Sequence, residues 1–204
     1  MAMRIVVISP GFKDPREISC MKGFFAAGLK RYHVRKPTWS APVLEAWLRS
    51  LPEEWRPKLI LHQHHSLVET LKLGGRHYKD GDNPPGARGL SRSCHDLKTL
   101  RKHMGAYPQV LFGPVFPSLS KPGHGPAKHF PWGPLAALLR ERTYRGCRVL
   151  AVGGITAERL ARCDELGFDG AAVLGAVWHE PDPVRAFAEV MEAAAKLEPA
   201  HRGA

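Results

Sequence analysis

The chain has 204 residues, which is enough for one domain with a sizeable hydrophobic core. Its 30 lysines and arginines outnumber 19 acidic residues, but they are spread along the chain and not interleaved with exposed aromatic residues, so the formal charge of +11 favours anionic substrates over nucleic acid. No stretch offers the ~18 apolar residues of a membrane span. Four cysteines without CxxC spacing argue against a zinc site or a disulfide framework and favour the reduced cytoplasm.

Eight short apolar or alternating segments predict β-strands, at 4–9, 31–36, 58–62, 76–79, 87–94, 109–116, 148–155 and 168–177. Segments with helical spacing separate most of them, such as 40–50, which begins with the N-cap residue Ser40, and 156–166, which ends before Gly167. This alternation indicates parallel strands, and eight units predict a single-domain α/β protein of the (β/α)8 TIM barrel class over residues 1–198, with a disordered tail at 199–204. A flavodoxin-like open sheet is the alternative, although it needs only about five strands.

Glycines follow the last two predicted strands, where Gly153 and Gly154 end one and Gly175 ends the other. Backbone without a Cβ approaches a ligand closely, and free N–H groups at these positions suit a phosphate. The active groups of a barrel lie where its strands end, so we expect further side chains at the same rim. They are His33, Arg35, Lys36, Asp82, Ser93, Ser118, Ser120 and Lys121. Cations, hydroxyls and bare amides together predict a site for a doubly anionic substrate.

Four ordered motifs carry a family resemblance: Gly113-Pro-Val-Phe116, Ser118-Leu-Ser120-Lys121, Val152-Gly-Gly-Ile155 and the segment 169–177. With them the sequence resembles the thiamine phosphate synthase and thiazole tautomerase superfamily from about residue 31 to residue 188. The resemblance implies a transferase of thiamine biosynthesis. In that reaction a hydroxymethylpyrimidine pyrophosphate loses pyrophosphate while the ring nitrogen of a thiazole phosphate attacks the pyrimidine methylene.

The resemblance also implies roles for individual residues. Arg35, Ser93 and Lys121 are expected to be catalytic contacts of the departing pyrophosphate. Further substrate contacts are expected at His33, Lys36, Ser118 and Ser120, with Gly153, Gly154 and Gly175 presenting amides to the thiazole phosphate. Mg²⁺ is expected at Asp82, which matches the second magnesium aspartate of the family. The first stands here as Gln63, and a neutral amide is a poor replacement for a carboxylate on a hard cation.

Three alternatives remain open at this point. One is an isomerase of the same superfamily, with His33 or His95 as proton carrier, although the position of the tautomerase histidine is Pro114 here. The others are a non-catalytic thiazole phosphate binder and a basic nucleic-acid-binding protein. The run from His62 to His65 allows either a transition-metal site or a solvated role. We expect small phosphorylated substrates as partners and no membrane, and a homo-oligomer is left open.

Overall fold

The computed structural model describes residues 3–84, 89–119, 123, 125–141 and 146–197. Its eight strands are short, and all but the last are followed directly by a polar or glycine residue. They are β1 (Arg4–Ile8), β2 (Tyr32–Val34), β3 (Leu59–Leu61), β4 (Gly75–Tyr78), β5 (Ser91–Cys94), β6 (Gln109–Phe112), β7 (Arg148–Val152) and β8 (Gly170–Val173).

Helices alternate with the strands along the chain. They are α1 (Glu17–Ala26), α2 (Ala41–Arg49), α3 (Leu67–Thr70), α4 (Leu97–Met104), α5 (Trp132–Glu141), α6 (Leu160–Leu166), α7 (Gly175–Trp178) and α8 (Pro183–Lys196), with 3₁₀ turns at Glu53–Lys58 and Ala157–Arg159. Local signals set several boundaries. The Asp96 carboxylate accepts from the Thr99 N–H at 2.8 Å to begin α4, and Gly167 ends α6 in the left-handed region at φ 95°.

The strands form a closed parallel barrel in chain order. The closing pair is β1 with β8, in which Arg4 lies opposite Gly170 and Val7 opposite Val173. A methyl group on Gly170 would overlap the Arg4 carbonyl oxygen, so this position requires glycine for the two strands to meet. The predicted (β/α)8 barrel is confirmed, and the open-sheet alternative is wrong.

The hydrophobic core has two parts, one on each side of the barrel wall. The larger lies between the strands and the surrounding helices, and its fully buried aromatic rings include Phe24, Phe112, Phe168 and Phe187. The smaller fills part of the barrel interior and consists of Val6, Ile8, Leu111, Leu150 and Ala172, from β1, β6, β7 and β8. The remaining part of the interior, facing β2 to β5, is polar and belongs to the candidate site.

Some element boundaries differ from the predictions. The strand predicted over 109–116 ends at Phe112, because Gly113 and Pro114 follow and proline has no N–H for the sheet. The strand predicted over 168–177 ends at Val173, and α7, which was not predicted, begins two residues later. The predicted tail falls within 198–204, outside the described residues, as does the start of the strand predicted over 87–94. None of the described helices has the length and apolar character needed to cross a bilayer.

Candidate active site

The glycine turn after β7 is held against the loop that follows β6. The Val115 N–H donates to the Val152 carbonyl oxygen at 2.9 Å, and the Phe116 N–H donates to the Gly153 carbonyl oxygen at 3.1 Å. Gly153 and Gly154 have φ angles of 96° and 62°, which side chains rarely adopt. A Cβ on Gly153 would lie 2.8 Å from the Cα of Pro114. The two loops therefore approach at backbone distance, and glycine is required for that approach.

The loop after β8 meets the same two loops. Helix α7 begins at Gly175, directly after β8, and a Cβ on Gly175 would lie 3.4 Å from the Cβ of Leu119. A cleft of about 370 Å³ lies beside this contact, and Leu119, Thr156 and Gly175 are among its lining residues. The loops after β6, β7 and β8 thus form one corner of the carboxyl rim, as the two glycine-ended strands predicted.

Part of the predicted serine and lysine loop lies in this corner. Ser118 is partly buried between Pro117 and Leu119. Ser120 and Lys121 lie outside the described residues, so their predicted roles rest on the sequence. A larger cleft of about 530 Å³ is lined by Gly74, Pro108 and Gly146, which precede strands at the opposite end of the barrel. Because barrel enzymes use the carboxyl end, we do not assign the candidate site there.

Arg35 supplies an exposed cation at the rim. It follows β2, and its backbone is fixed to the end of β1, since its N–H donates to the Ser9 Oγ at 2.8 Å and the Ser9 hydroxyl donates to its carbonyl oxygen at 3.1 Å. No carboxylate among the described residues forms an ion pair with the Arg35 guanidinium, in contrast to other arginines such as Arg16 and Arg49. Arg35 is therefore an exposed cation at the rim, and its predicted contact with pyrophosphate stays a prediction.

Lys36 does not reach the rim, although the sequence predicted a substrate contact. Its ammonium group donates to the carbonyl oxygens of Pro10 and Phe12, both at 2.9 Å, and to the Glu17 carboxylate at 2.5 Å. The side chain is fully buried beneath the rings of Trp39 and Trp47. The reason is strand alternation: Lys36 lies on the helix-facing side of β2 with Val34, while Arg35 lies on the interior side with His33.

The polar part of the barrel interior contains three histidines, which we call the imidazole cluster: His33, His62 and His77. They come from β2, from the residue after β3 and from β4, which are three consecutive strands of the barrel, and their exposed fractions are 0%, 8% and 1%. The His33 Nδ1 and the His62 Nε2 are 3.0 Å apart and share a hydrogen bond. The rings of His62 and His77 are stacked, with centroids 4.1 Å apart.

Two hydroxyl groups orient the third ring of the cluster. The Ser91 Oγ lies 2.8 Å from the His77 Nδ1, and the Ser93 Oγ lies 2.9 Å from the His77 Nε2. Burial lowers the pKa of His33 to about 3, and it lowers the pKa values of His62 and His77 well below their usual range. The three imidazoles are therefore neutral at pH 7. Ser93, predicted to contact pyrophosphate, lies partly buried at the end of β5 and joins the rim to this cluster.

Three further histidines, His64, His65 and His95, lie apart from the cluster. His64 is bonded to the Trp39 carbonyl oxygen at 2.7 Å, and His65 to the His77 carbonyl oxygen at 3.1 Å. His95 is exposed after β5, with its Nδ1 2.5 Å from the Gly113 carbonyl oxygen. Of the run from His62 to His65, only His62 joins the barrel interior. His33, predicted as a substrate contact, is fully buried below the rim and does not reach a substrate directly.

The residues at the expected Mg²⁺ positions fit that ion poorly. The Gln63 side-chain amide donates to the Lys36 carbonyl oxygen and so faces β2. Asp82 lies beyond β4, where one carboxylate oxygen accepts from the Lys79 N–H at 2.7 Å. Mg²⁺ in proteins is typically held by one or two carboxylates, and here a single carboxylate is already engaged in a turn while the amide faces away from it. The predicted Mg²⁺ at Asp82 therefore finds no complementary donor set among the described residues.

The sequence interpretation named His33 and His62 but did not bring them together with His77. It did not consider on which side of its strand each side chain lies. Each of these positions lies on the side that faces the barrel interior, with Ser91 and Ser93 on the same side of β5. Counting interior positions strand by strand, with the alternation of β-structure, would have placed all five side chains inside the barrel.

The closed parallel barrel and the loops gathered on its carboxyl rim define a (β/α)8 protein with its candidate site at the usual end. Among solved structures, thiamine phosphate pyrophosphorylase from Bacteroides thetaiotaomicron is similar, with a TM-score of 0.73 and 26% identity, covering 94% of this chain and 97% of that one. The thiamine phosphate pyrophosphorylase from Pyrococcus furiosus has a TM-score of 0.75 at 17% identity, with 94% and 95% covered, and shows likeness of fold.

Sequence comparison gives the family. Residues 5–177 match the thiamine monophosphate synthase family. The thiamine-phosphate synthase of Azoarcus sp. is 31% identical over 148 residues, or 68% of this chain and 69% of that protein. The thiamine-phosphate synthase of Thioalkalivibrio sulfidiphilus is 36% identical over 147 residues, or 67% and 66%. This chain belongs to the thiamine monophosphate synthase family, which confirms the predicted resemblance.

Proposed function

We propose that this protein is a transferase of thiamine biosynthesis that couples hydroxymethylpyrimidine pyrophosphate to thiazole phosphate and releases pyrophosphate. The observation that carries the proposal is the family match over residues 5–177. The exposed Arg35 and the glycine turn at Gly153 and Gly154 support it. The relatives from Azoarcus sp. and Thioalkalivibrio sulfidiphilus are thiamine-phosphate synthases, and each match covers about two thirds of the chain.

The chemical requirement is charge stabilisation on the leaving group. When the bond between the pyrimidine methylene and the pyrophosphate oxygen breaks, the electron pair stays on that oxygen, and preorganised cations and hydrogen-bond donors lower the barrier. Arg35 is the described cation suited to this role, because it is exposed at the rim without a carboxylate partner among the described residues. We assign Lys121, Ser118 and Ser120 to the same pyrophosphate from the family motif.

The thiazole phosphate is assigned to the corner formed by the loops after β6, β7 and β8. Gly153, Gly154 and Gly175 bring bare backbone to this corner, and the first N–H groups of a helix have no intrahelical partner. This arrangement holds the phosphate at one side of the rim and leaves Arg35, across the barrel mouth, for the pyrophosphate. The ring nitrogen of the thiazole then faces the methylene carbon between the two anions.

No step of the proposed reaction is assigned to Mg²⁺, because the described donor set around Gln63 and Asp82 does not fit that ion. His33 and Lys36 are likewise not assigned to substrate, because both are fully buried. They act on the site by fixing β2, from which Arg35 projects.

The direct test is product formation. Pure protein incubated with both substrates, with and without added divalent ions, should yield thiamine phosphate and pyrophosphate. Arg35→Ala should reduce kcat by about 10²-fold, the scale on which removal of one transition-state donor acts. Arg101→Ala is the matched control, since Arg101 is an exposed arginine of α4 outside the rim. Absence of product under every ion condition would refute the proposal.

Lys121→Ala distinguishes the pyrophosphate part of the site from the thiazole phosphate part. We expect it to lower kcat while the Kd for thiazole phosphate stays within about twofold, because its assigned partner is the pyrophosphate. The reverse pattern would show that Lys121 binds the thiazole phosphate instead.

One observation favours a second candidate, an isomerase acting on the thiazole phosphate. An isomerase that moves only a proton releases no pyrophosphate, so it depends less on the magnesium ligand that Gln63 replaces. His95 is an exposed imidazole at the rim that could carry the proton. Loss of the starting tautomer without added metal and without the pyrimidine substrate would support this candidate. His95→Gln should then abolish that reaction while leaving thiazole phosphate binding intact.

A further inference from the structure

We propose that the imidazole cluster binds one divalent transition ion of the Zn²⁺ class inside the barrel. His33, His62 and His77 each offer a ring nitrogen, and these three atoms lie within 4.8 Å of one another. This is the one group of three such side chains within ligand reach in the part of the chain that the structure describes. The inference stands independently of the coupling reaction, because it concerns binding in the absence of substrate.

The donor chemistry selects the ion. Imidazole nitrogen suits Zn²⁺, Cu²⁺, Co²⁺ and Ni²⁺, whereas Mg²⁺ prefers carboxylate and water oxygens. Zn²⁺–N bonds of about 2.0–2.1 Å in a tetrahedral site put neighbouring nitrogens roughly 3.3 Å apart. The His33 Nδ1 and His62 Nε2 are already 3.0 Å apart, so these two atoms need to move by only a few tenths of an ångström.

The hydrogen bonding of the cluster is incomplete. The His33 Nε2 is buried and has no hydrogen-bond partner, at a cost of about 1–3 kcal/mol. The hydrogen bond between His33 and His62 takes a single proton, so the acceptor nitrogen of that pair has a lone pair in the interior of the cluster. An ion between the His33 Nδ1 and the His62 Nε2 replaces their hydrogen bond with coordination, and the His33 Nε2 then carries the ring proton.

Groups behind the cluster suit the same role. The Ser91 Oγ and Ser93 Oγ hold the two ring nitrogens of His77, so one hydroxyl stays bonded when the other nitrogen takes the ion. A ligating histidine typically keeps such a partner on its second nitrogen, which fixes the ring orientation. The rings of His62 and His77 are stacked with 26° between their planes, and since an ion lies in the plane of each ligand ring, binding must open this stack.

Access is from the carboxyl rim. His62 is 8% exposed, and Arg35 lies on its rim side. The charge of Arg35 adds to burial in lowering the pKa of His62. The same charge opposes a bound cation. Removal of the Arg35 charge should therefore tighten binding, whereas removal of a ligand should weaken it.

The experiment uses the full chain after treatment with a chelator. Titration with Co²⁺ should give one equivalent with the visible absorption of a four-coordinate ion, and Zn²⁺ should displace it. His33→Gln and His62→Asn keep a neutral polar side chain of similar size at these buried positions, so both variants should fold. Each should weaken the affinity by roughly a hundredfold or more, because even loss of a supporting hydrogen bond costs 10–100-fold.

His64→Asn is the matched control. His64 lies two residues from His62 but is bonded to Trp39, and its φ of 52° suits asparagine. It should bind Co²⁺ as the wild type does. Absence of a tight equivalent in the wild type, or equal affinity in His33→Gln and His62→Asn, would overturn the proposal. Loss of binding in His64→Asn alone would do the same, because it would locate the ion in the outer loop. Should either ligand variant fail to fold, Ser91→Ala is decisive, with an expected loss of 10–100-fold and a shifted Co²⁺ spectrum.

Discussion

Substitution of Glu17 by glutamine should destabilise the protein by about 3–5 kcal/mol, the usual cost of removing one partner of a buried ion pair. The side chains of Glu17 and Lys36 are 2% and 0% exposed, and their charged atoms are 2.5 Å apart. In Glu17→Gln the amide hydrogens face an ammonium group that keeps only the Pro10 and Phe12 carbonyl oxygens as acceptors. That charge then lies in the protein interior without a counter-ion.

A double variant separates the value of the pair from the cost of breaking it. In Glu17→Gln/Lys36→Met no charge is buried, the amide oxygen still accepts from the Tyr32 hydroxyl, and methionine packs beneath Trp39 and Trp47. Because well-packed neutral replacements of buried ion pairs are often neutral in stability, we expect the double variant to lie within about 1–2 kcal/mol of the wild type. The two substitutions should therefore be strongly non-additive.

Urea unfolding at constant m-value measures these differences, and 4 kcal/mol corresponds to a midpoint shift of about 1.5–2 M. The pH dependence supplies a second signature. Burial lowers the pKa of Lys36 and raises the pKa of Glu17. A lysine with a lowered folded pKa releases its proton as pH rises, so the deficit of Glu17→Gln should shrink from pH 7 to pH 9. A carboxyl with a raised folded pKa takes up its proton as pH falls, so the deficit of Lys36→Met should shrink from pH 7 to pH 5. A loss below about 1 kcal/mol in Glu17→Gln, or additive effects in the double variant, would refute this reasoning.

Three further predictions concern the rim, the interior and the thiols. Gly154→Ala should lower the free energy of unfolding by about 1–3 kcal/mol and weaken thiazole phosphate binding in calorimetry. Gly154 has a φ of 62°, and the added methyl group would overlap the Pro117 carbonyl oxygen. Gly133→Ala is the control, because nothing lies within 4 Å of a Cβ at that position. Chelator-treated protein should lose stability as pH falls from about 6.5 towards 3, because the histidines of the unfolded chain take up protons before those of the imidazole cluster do. The contribution of His33 to this loss is at most roughly 4–5 kcal/mol, so His33→Gln should make the acid limb shallower in pH-dependent urea unfolding. Thiol reagents should label the native protein slowly and all four cysteines after unfolding, because all four are buried and none forms a disulfide: Cys20, Cys94, Cys147 and Cys163. Fast native labelling, an unchanged acid limb, or a Gly154→Ala variant equal to the control would each contradict the corresponding argument.

The barrel was predictable because its signals are local and repeat along the chain. Most strands are short apolar or alternating segments followed by a glycine, proline or polar residue, and these local signals need no knowledge of tertiary contacts. Helix α7 escaped prediction because its four residues, Gly175–Trp178, continue the apolar run of β8, and a single glycine does not distinguish the end of a strand from the start of a helix.

The sequence predicted the glycine corner of the candidate site and the place of Arg35 at the rim. It did not predict which other side chains point to the barrel interior and which to the helices. Lys36 and Arg35 are adjacent in sequence, and only the alternation of β2 decides that one meets α1 and the other meets the rim. Cysteine spacing argued against zinc, yet the proposed ion site uses histidines from three segments of the chain. A set assembled across strands has no characteristic spacing, so it became visible only when the barrel had closed.

Closure of the barrel between its first and last strands has a consequence for synthesis on the ribosome. Arg4 finds its partner Gly170 only after nearly the whole barrel has been translated. Until then β1 presents an unsatisfied backbone edge, and the apolar face of Val6 and Ile8 lacks Leu150 and Ala172 opposite. The nascent chain therefore exposes an unpaired, aggregation-prone sheet edge during most of its elongation. Shielding of that edge, by a chaperone or by rapid late translation, should govern the yield of native protein more strongly than the stability of the finished fold.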